Sequence, residues 1–220
     1  MTLPLPLRNR LAELILDAFR DPAAREGLEA LAGVCADARA LEGCAAPPAR
    51  FPADFFERGP GGLRIKGGWR SYEGELCERA RRARQILAGR PLDPPDPDLE
   101  TALGEAGALF DAGLFFEVHE MLESYWMRAE GAERETLQGL IQVAVGFHHL
   151  STGNVSGARA LLHDGCAKTL GQRLSGRRLD PFARAVRHCL DRVLALGAQA
   201  SQEFDWSLVP RFPERGRGAE

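Results

Sequence analysis

The chain has 220 residues, a formal net charge of −3 and a pI near 6.0, a length that allows one large domain or two small ones. Hydrophobic residues make up 45% of it, enough for a packed core, and the balanced charge leaves no basic footprint for nucleic acid or an anionic membrane surface. The five cysteines, Cys35, Cys44, Cys77, Cys166 and Cys189, contain no C-x-x-C pair, support neither a zinc ribbon nor a thioredoxin-type motif, and read as buried, reduced thiols.

Alternating Leu and Pro over Met1–Arg10 cannot form the apolar stretch of a signal peptide. No run approaches bilayer-spanning length, so a soluble, cytoplasmic protein is expected. Leu7, Leu11, Leu14, Ile15, Ala18 and Phe19 follow a helical period. Asp21-Pro22 supplies a cap followed by proline at the first helical position, and Leu28, Leu31, Val34, Ala38 and Leu41 continue the period to Gly43. Residues 43–70 are rich in Pro and Gly and should be irregular, with a short extended piece around Leu63-Arg64-Ile65. Their aromatic residues Phe51, Phe55, Phe56 and Trp69 are expected to pin this loop to a core. Ser71 is the candidate cap of a further helix carried by Leu76, Ala80, Ala83 and Leu87 and stopped by Gly89 and Pro91. Its arginines, Arg79, Arg81, Arg82, Arg84 and, just beyond, Arg90, read as a solvated face.

Pro91-Leu92-Asp93-Pro94-Pro95-Asp96-Pro97 forbids a helix and favours an extended linker. It divides the chain into a mostly helical N-terminal region, 1–90, a Pro-rich linker, 91–97, and a helical bundle domain, 98–220. In that domain Asp98 caps a helix that Gly113 breaks. Helices over Leu114–Arg128 and Glu133–Ser151 follow. Asn154 caps the next, through Leu174, and Asp180-Pro181 opens the last, through Leu196. Connections this short imply antiparallel neighbours. The tail, Phe204 to Pro213 with Trp206, should dock back on the domain. The predicted fold class is all-α, a multi-helix bundle.

The helix from Leu114 is apolar nearly all round, yet it carries Glu117, His119, Glu120 and Glu123. At about 100° per residue, Phe116, His119, Glu120, Glu123, Trp126 and Met127 share roughly one third of its circumference. A helix apolar on both sides tends to be buried, and buried carboxylates need partners. On the next helix, His148 lies in the middle of the apolar face, while Gln138, Gln142 and His149 form a polar stripe. Antiparallel packing is expected to bring His148 towards Glu120 or Glu123. Gly139 and Gly146, seven apart, would let a neighbouring helix come close.

Three blocks carry a family resemblance: D-A-G-L-F-F-E-V-H-E-M-L-E-S-Y-W (111–126), L-Q-G-L-I-Q-V-A-V-G-F-H (137–148) and G-N-V-S-G-A-R-A-L-L (153–162). Together they resemble the domain of unknown function numbered 309, over about residues 100–174. The resemblance implies a small all-helical bundle and assigns no activity. Its characteristic polar set falls here on Glu117, His119, Glu120, Glu123, Trp126, Gln138 and His148.

Three chemistries fit these residues. A hydrogen-bonded network would fix helix register without doing chemistry. A divalent metal site would draw on His119, Glu120, Glu123 and His148. It would be atypical, because His119-Glu120-x-x-Glu123 has Glu where a zincin has its second His, and no Glu-x-x-His pair of the di-iron type occurs. Metal-free acid–base catalysis by His119 or His148 is the third. No adjacent nucleophile and no phosphate-binding glycine loop accompanies them. The expectation is a ligand- or partner-binding module built on a buried cluster of Glu117, His119, Glu120, Glu123, Trp126, Gln138, Gln142 and His148. The alternative is a metal-dependent, hydrolytic enzyme using the same residues. Self-association into a homo-oligomer is left open.

Overall fold

Helix caps and apolar periods set the order of elements in the computed structural model, which describes residues 2–216. Met1 and residues 217–220, the outer ends of the expected 1–90 region and 98–220 domain, lie outside the described residues. Helices dominate: two small antiparallel strand pairs are the only sheet among the described residues, and the protein is predominantly all-α. The chain divides into two compact units, Met1–Asp96 and Pro97–Glu220.

In the first unit, α1 (Leu5–Asp17) buries Leu7, Leu11, Leu14 and Ile15, the stripe its period predicts. Asp21 caps α2 (Pro22–Ala36), accepting a 2.9 Å bond from the Ala23 amide. This helix stops seven residues short of Gly43. Asp37 turns extended, and the Ala38 carbonyl accepts instead from Leu63 N at 2.8 Å. That bond ties the chain to a hairpin of β1 (Phe56–Gly59) and β2 (Gly62–Ile65). Gly62 sits at φ +105°, where a Cβ would collide with the Ala38 carbonyl, so the turn requires glycine. Phe51 and Phe56 are buried against each other, and Phe55 meets Trp69 edge-on, as anchors should. A 3₁₀ stretch over Gly67–Tyr72 then leads into α3 (Glu73–Leu87), which starts without a side-chain cap, so Ser71 is not one.

The arginines of α3 are solvated and locally paired, with one correction. Arg81 and Arg82 both hold Glu78, pulling its carboxyl down to about 2, and Arg84 meets Glu29. Arg79 is buried, because it falls on the same face as Leu76, Ala80 and Ala83. The proline-rich segment is tied back to this unit by Asp93 N donating to the Phe19 carbonyl and by an Arg90–Asp93 ion pair.

The reading of five reduced thiols is also corrected. Cys35 and Cys77 form a disulfide that joins α2 to α3 across 42 residues of sequence. In the chain-entropy account, closing a loop of that size stabilises by about 4 kcal/mol. Cys166 and Cys189 are free and buried, and Cys44 is free and exposed.

The second unit begins with α4 (Leu99–Asp111), capped by Asp98 onto Thr101 N. Gly113 separates it from α5 (Phe115–Arg128), and α6 (Gly131–Ser151) follows. Asn154 caps α7 (Val155–Thr169) through Gly157 N. This helix ends five residues before the expected Leu174. Gly171, at φ +76°, donates its amide to Asp180, and the chain turns into a short ribbon of β3 (Arg173–Leu174) and β4 (Arg177–Arg178). Then come α8 (Asp180–Leu196) and the single turn α9 (Ala200–Glu203). The tail docks as expected: Phe212 packs on Phe110 and Gly107, its amide donates to Asp111, and Trp206 stacks on Phe115. Buried Arg177 holds the tail by donating to the Pro213 carbonyl and pairing with Glu100.

Glycines set the closest helix approach. A Cβ at Gly146 would stand 2.8 Å from the Leu162 side chain, and one at Gly165 would stand 2.7 Å from Val143 and 2.8 Å from the Gly139 carbonyl. Gly104, on α4, has nothing within 4 Å of its Cβ position. Gly165→Ala is therefore expected to lower stability by about 1–3 kcal/mol through overpacking, whereas Gly104→Ala should raise it by about 0.5–1 kcal/mol through helix propensity. Urea unfolding of the two variants checks the opposite signs. Burial pushes the Cys166 thiol up to about 11 and that of Cys189 to about 12. At pH 8 an alkylating reagent is expected to modify Cys44 in native protein and to reach Cys166 and Cys189 only after denaturation, as read by peptide mass spectrometry.

Candidate functional site

The site grows from the pairing of α5 with α6. Two contacts fix their antiparallel register. The Arg134 guanidinium lies 4.4 Å over the Trp126 ring, and the His148 ring lies 5.6 Å from that of Phe116. Arg134 also donates to the carbonyls of Trp126, Met127 and Ala129 at 3.0 to 3.4 Å, so it satisfies the open C-terminal end of α5. Interpolating between these contacts sets Gln138 level with Glu123 and Gln142 level with Glu120.

His119, Glu120 and Glu123 come together. They stand at i, i+1 and i+4 on α5, and one donor atom from each lies within 4.8 Å of the others. His119 Nδ1 is 3.0 Å from Glu120 Oε1. One turn earlier, the Phe116 ring lies 6.1 Å from that of His119, so Phe116 neighbours both His119 and His148. His149, beside His148 on α6, meets Asn154 Nδ2 through Nδ1 at 3.1 Å, and burial lowers its pKa. Trp126 Nε1 on α5 and Gln142 Oε1 on α6 are themselves buried and have no hydrogen-bond partner.

Two expectations change. The cluster is not buried as a whole: only Glu117 is, at 0% exposure, while His119, Glu120, Glu123, Trp126, Gln138, Gln142 and His148 are all part-exposed. His119 and Glu120 expose 29% and 35% of their side chains. The cause is the stripe itself, since α5 turns Val118, Met121 and Leu122 to the core and leaves the opposite third of its circumference at the rim. His148 is also outside the donor triad. Its ring lies 5.6 Å from that of Phe116.

The donor set is chemically coherent. One imidazole nitrogen and two carboxylates suit zinc, iron or manganese. Donors around one such ion at about 2.1 Å stand at most about 4.2 Å apart. In tetrahedral or cis geometry they stand about 3.0–3.5 Å apart, so a pair at the 4.8 Å limit must close by about 1.5 Å, which part-exposed side chains achieve by χ rotations. Three protein ligands leave further coordination positions to water or to a ligand. Arg134 carries only a faint sequence signal, a cation one turn into the helix that follows the end of α5.

Residues 103–161 match the family described as Domain of unknown function (DUF309), so the matched stretch holds the α5 triad, α6 and the start of α7. Comparison with curated proteins and with solved structures finds no match.

Glu120→Ala removes a carboxylate that water already reaches. It is expected to change unfolding free energy by less than about 1 kcal/mol. Glu117→Ala empties a fully enclosed position and should cost at least about 2 kcal/mol. Thermal or urea unfolding of both variants measures the contrast.

Proposed function

We propose that the 97–220 unit is a ligand-binding module whose ligand is a divalent transition-metal ion, held on α5 by His119, Glu120 and Glu123. The observation that carries this reading is the convergence of one imidazole and two carboxylate donors within 4.8 Å on a single helix face. The half-exposed setting supports it, because an ion can enter without unfolding the bundle. Gln142 Oε1 on α6 is a buried acceptor without a hydrogen-bond partner, and an orphaned oxygen in a native fold calls for a ligand or an ordered water. Gln138 and His148 complete the polar rim. On this reading Glu117 is a structural residue of the core.

A second reading follows from the ligand count. Three protein ligands leave a position for water, and a bound divalent ion lowers the pKa of such a water towards neutrality. The same site would then serve a hydrolytic enzyme, with His148 near enough in register to contact a bound substrate. No helix among the described residues is long and apolar enough to cross a membrane; we place the protein in the cytoplasm as part of this proposal.

The test uses full-length protein stripped with chelator, dialysed against Mn²⁺, Zn²⁺ or Fe²⁺, and assayed for metal by mass spectrometry. About one ion per chain is expected in the wild type. It should be lost in His119→Ala and Glu123→Gln and retained in His148→Ala. Equal metal content in all four proteins, or none in any, contradicts the assignment. Metal-dependent turnover of a simple phosphate ester or carboxylic ester by the loaded wild type, absent in Glu123→Gln, would favour the hydrolytic reading.

A further inference from the structure

We propose that the Cys35–Cys77 disulfide is a reversible redox lock that controls the order of residues 37–72 in the N-terminal unit. Cys35 is the second-last residue of α2 and Cys77 lies in the second turn of α3. Everything between these helices is non-α: turns, two 3₁₀ stretches and the β1–β2 hairpin. The bond therefore ties together the two ends of a 36-residue excursion, 37–72, that has no α-helix of its own.

Three features distinguish a lock from a plain staple. First, α2 and α3 are held independently of sulfur, by Leu28, Leu31, Leu76, Ala80 and Ala83, all at 1% exposure or less. The helices thus have a core to keep when the bond opens. Second, the excursion is seated on α2 at two places: the Arg50–Phe51 backbone lies against Gly27, and, only three residues past Cys35, Leu63 N donates to the Ala38 carbonyl with Gly62 close against it. Releasing the cross-link frees the end of α2 that this seat depends on. Third, both half-cystines are part-exposed, so a small thiol reaches them. The remaining buried thiols cannot compete: burial holds Cys166 and Cys189 well above the ordinary thiol range, and the thiolate is the reacting form. Cys44, free and exposed, is the one cysteine inside the segment that the lock governs.

The chemistry is two-electron exchange with a low-molecular-weight thiol. One thiolate attacks a sulfur of the disulfide, forms a mixed disulfide and expels the other cysteine as thiolate, which takes up a proton. A second thiol molecule resolves the mixed disulfide. The protein gains two thiols, and the reductant leaves as its own disulfide. Oxidised small-molecule disulfide reverses the sequence.

The test equilibrates the full chain in buffers of varied reduced-to-oxidised glutathione ratio, then quenches by alkylation and maps peptides by mass spectrometry. Amide hydrogen exchange is measured at both extremes. Cys35 and Cys77 are expected to convert together and reversibly. On reduction, amides in 37–72 should exchange at least about tenfold faster while α2, α3, α6 and α7 keep their protection. Cys35→Ser/Cys77→Ser should behave like the reduced protein at every ratio, and Cys44→Ser should still switch. Three results overturn the proposal: Cys35 and Cys77 remaining alkylatable in fully oxidising buffer, unchanged exchange over 37–72 after reduction, or loss of protection across α2 and α3 as well, which would mark a staple essential to the fold.

Discussion

The second unit depends on a seam of three glycines. Gly139 and Gly146 on α6 and Gly165 on α7 leave no room for a Cβ between the two helices, so the backbones meet directly and their relative position has little freedom. The longest helix of the unit is thereby fixed along its length. Gly139 and His148, nine residues apart, lie about 180° apart around α6. Locking one side of α6 against α7 therefore commits the other side, with Arg134 and His148, to α5. The register of α5 follows, and with it the place of the donor triad.

That arrangement resolves a conflict between packing and charge. A helix apolar on most of its surface must be covered, yet α5 carries four ionisable residues within seven positions, Glu117 to Glu123. Desolvating all four would cost several kcal/mol for each charge left unpaired. The fold encloses only Glu117 and leaves His119, Glu120 and Glu123 at the rim, within reach of water. Trp126 and Phe116 flank the triad, so it is polar at its centre and apolar at its ends. Arg134, stacked on Trp126 and bonded to the last carbonyls of α5, holds one end of this face, and the Phe116–His148 contact holds the other.

Much of this was legible in the sequence, and the reasons are local. Asp21-Pro22, Asp98 and Asn154 mark helix starts because a side-chain oxygen satisfies an open backbone amide wherever it stands in the chain. The glycine spacing on α6 likewise pointed to a close neighbour. What escaped depends on distant partners. The apolar period of α2 runs on to Leu41, but a hydrogen bond from Leu63, 25 residues beyond Ala38, ends the helix early. The end of α7 is set by Asp180 accepting from Gly171, and the Cys35–Cys77 bond by the packing of two helices 42 residues apart. The grouping of His119, Glu120 and Glu123 was readable from helical spacing alone. Their exposure was not, because it follows from inter-helix register, which the glycine seam and the Arg134 anchor decide.

The most direct measurement is anomalous diffraction from crystals of the full chain soaked in Mn²⁺, recorded with the ion's anomalous signal. The account predicts a single strong peak about 2.0–2.2 Å from a nitrogen of His119 and from carboxylate oxygens of Glu120 and Glu123, with His148 beyond bonding distance. A soaked crystal with no peak at the triad, or with its strongest peak elsewhere on the molecule, would contradict it.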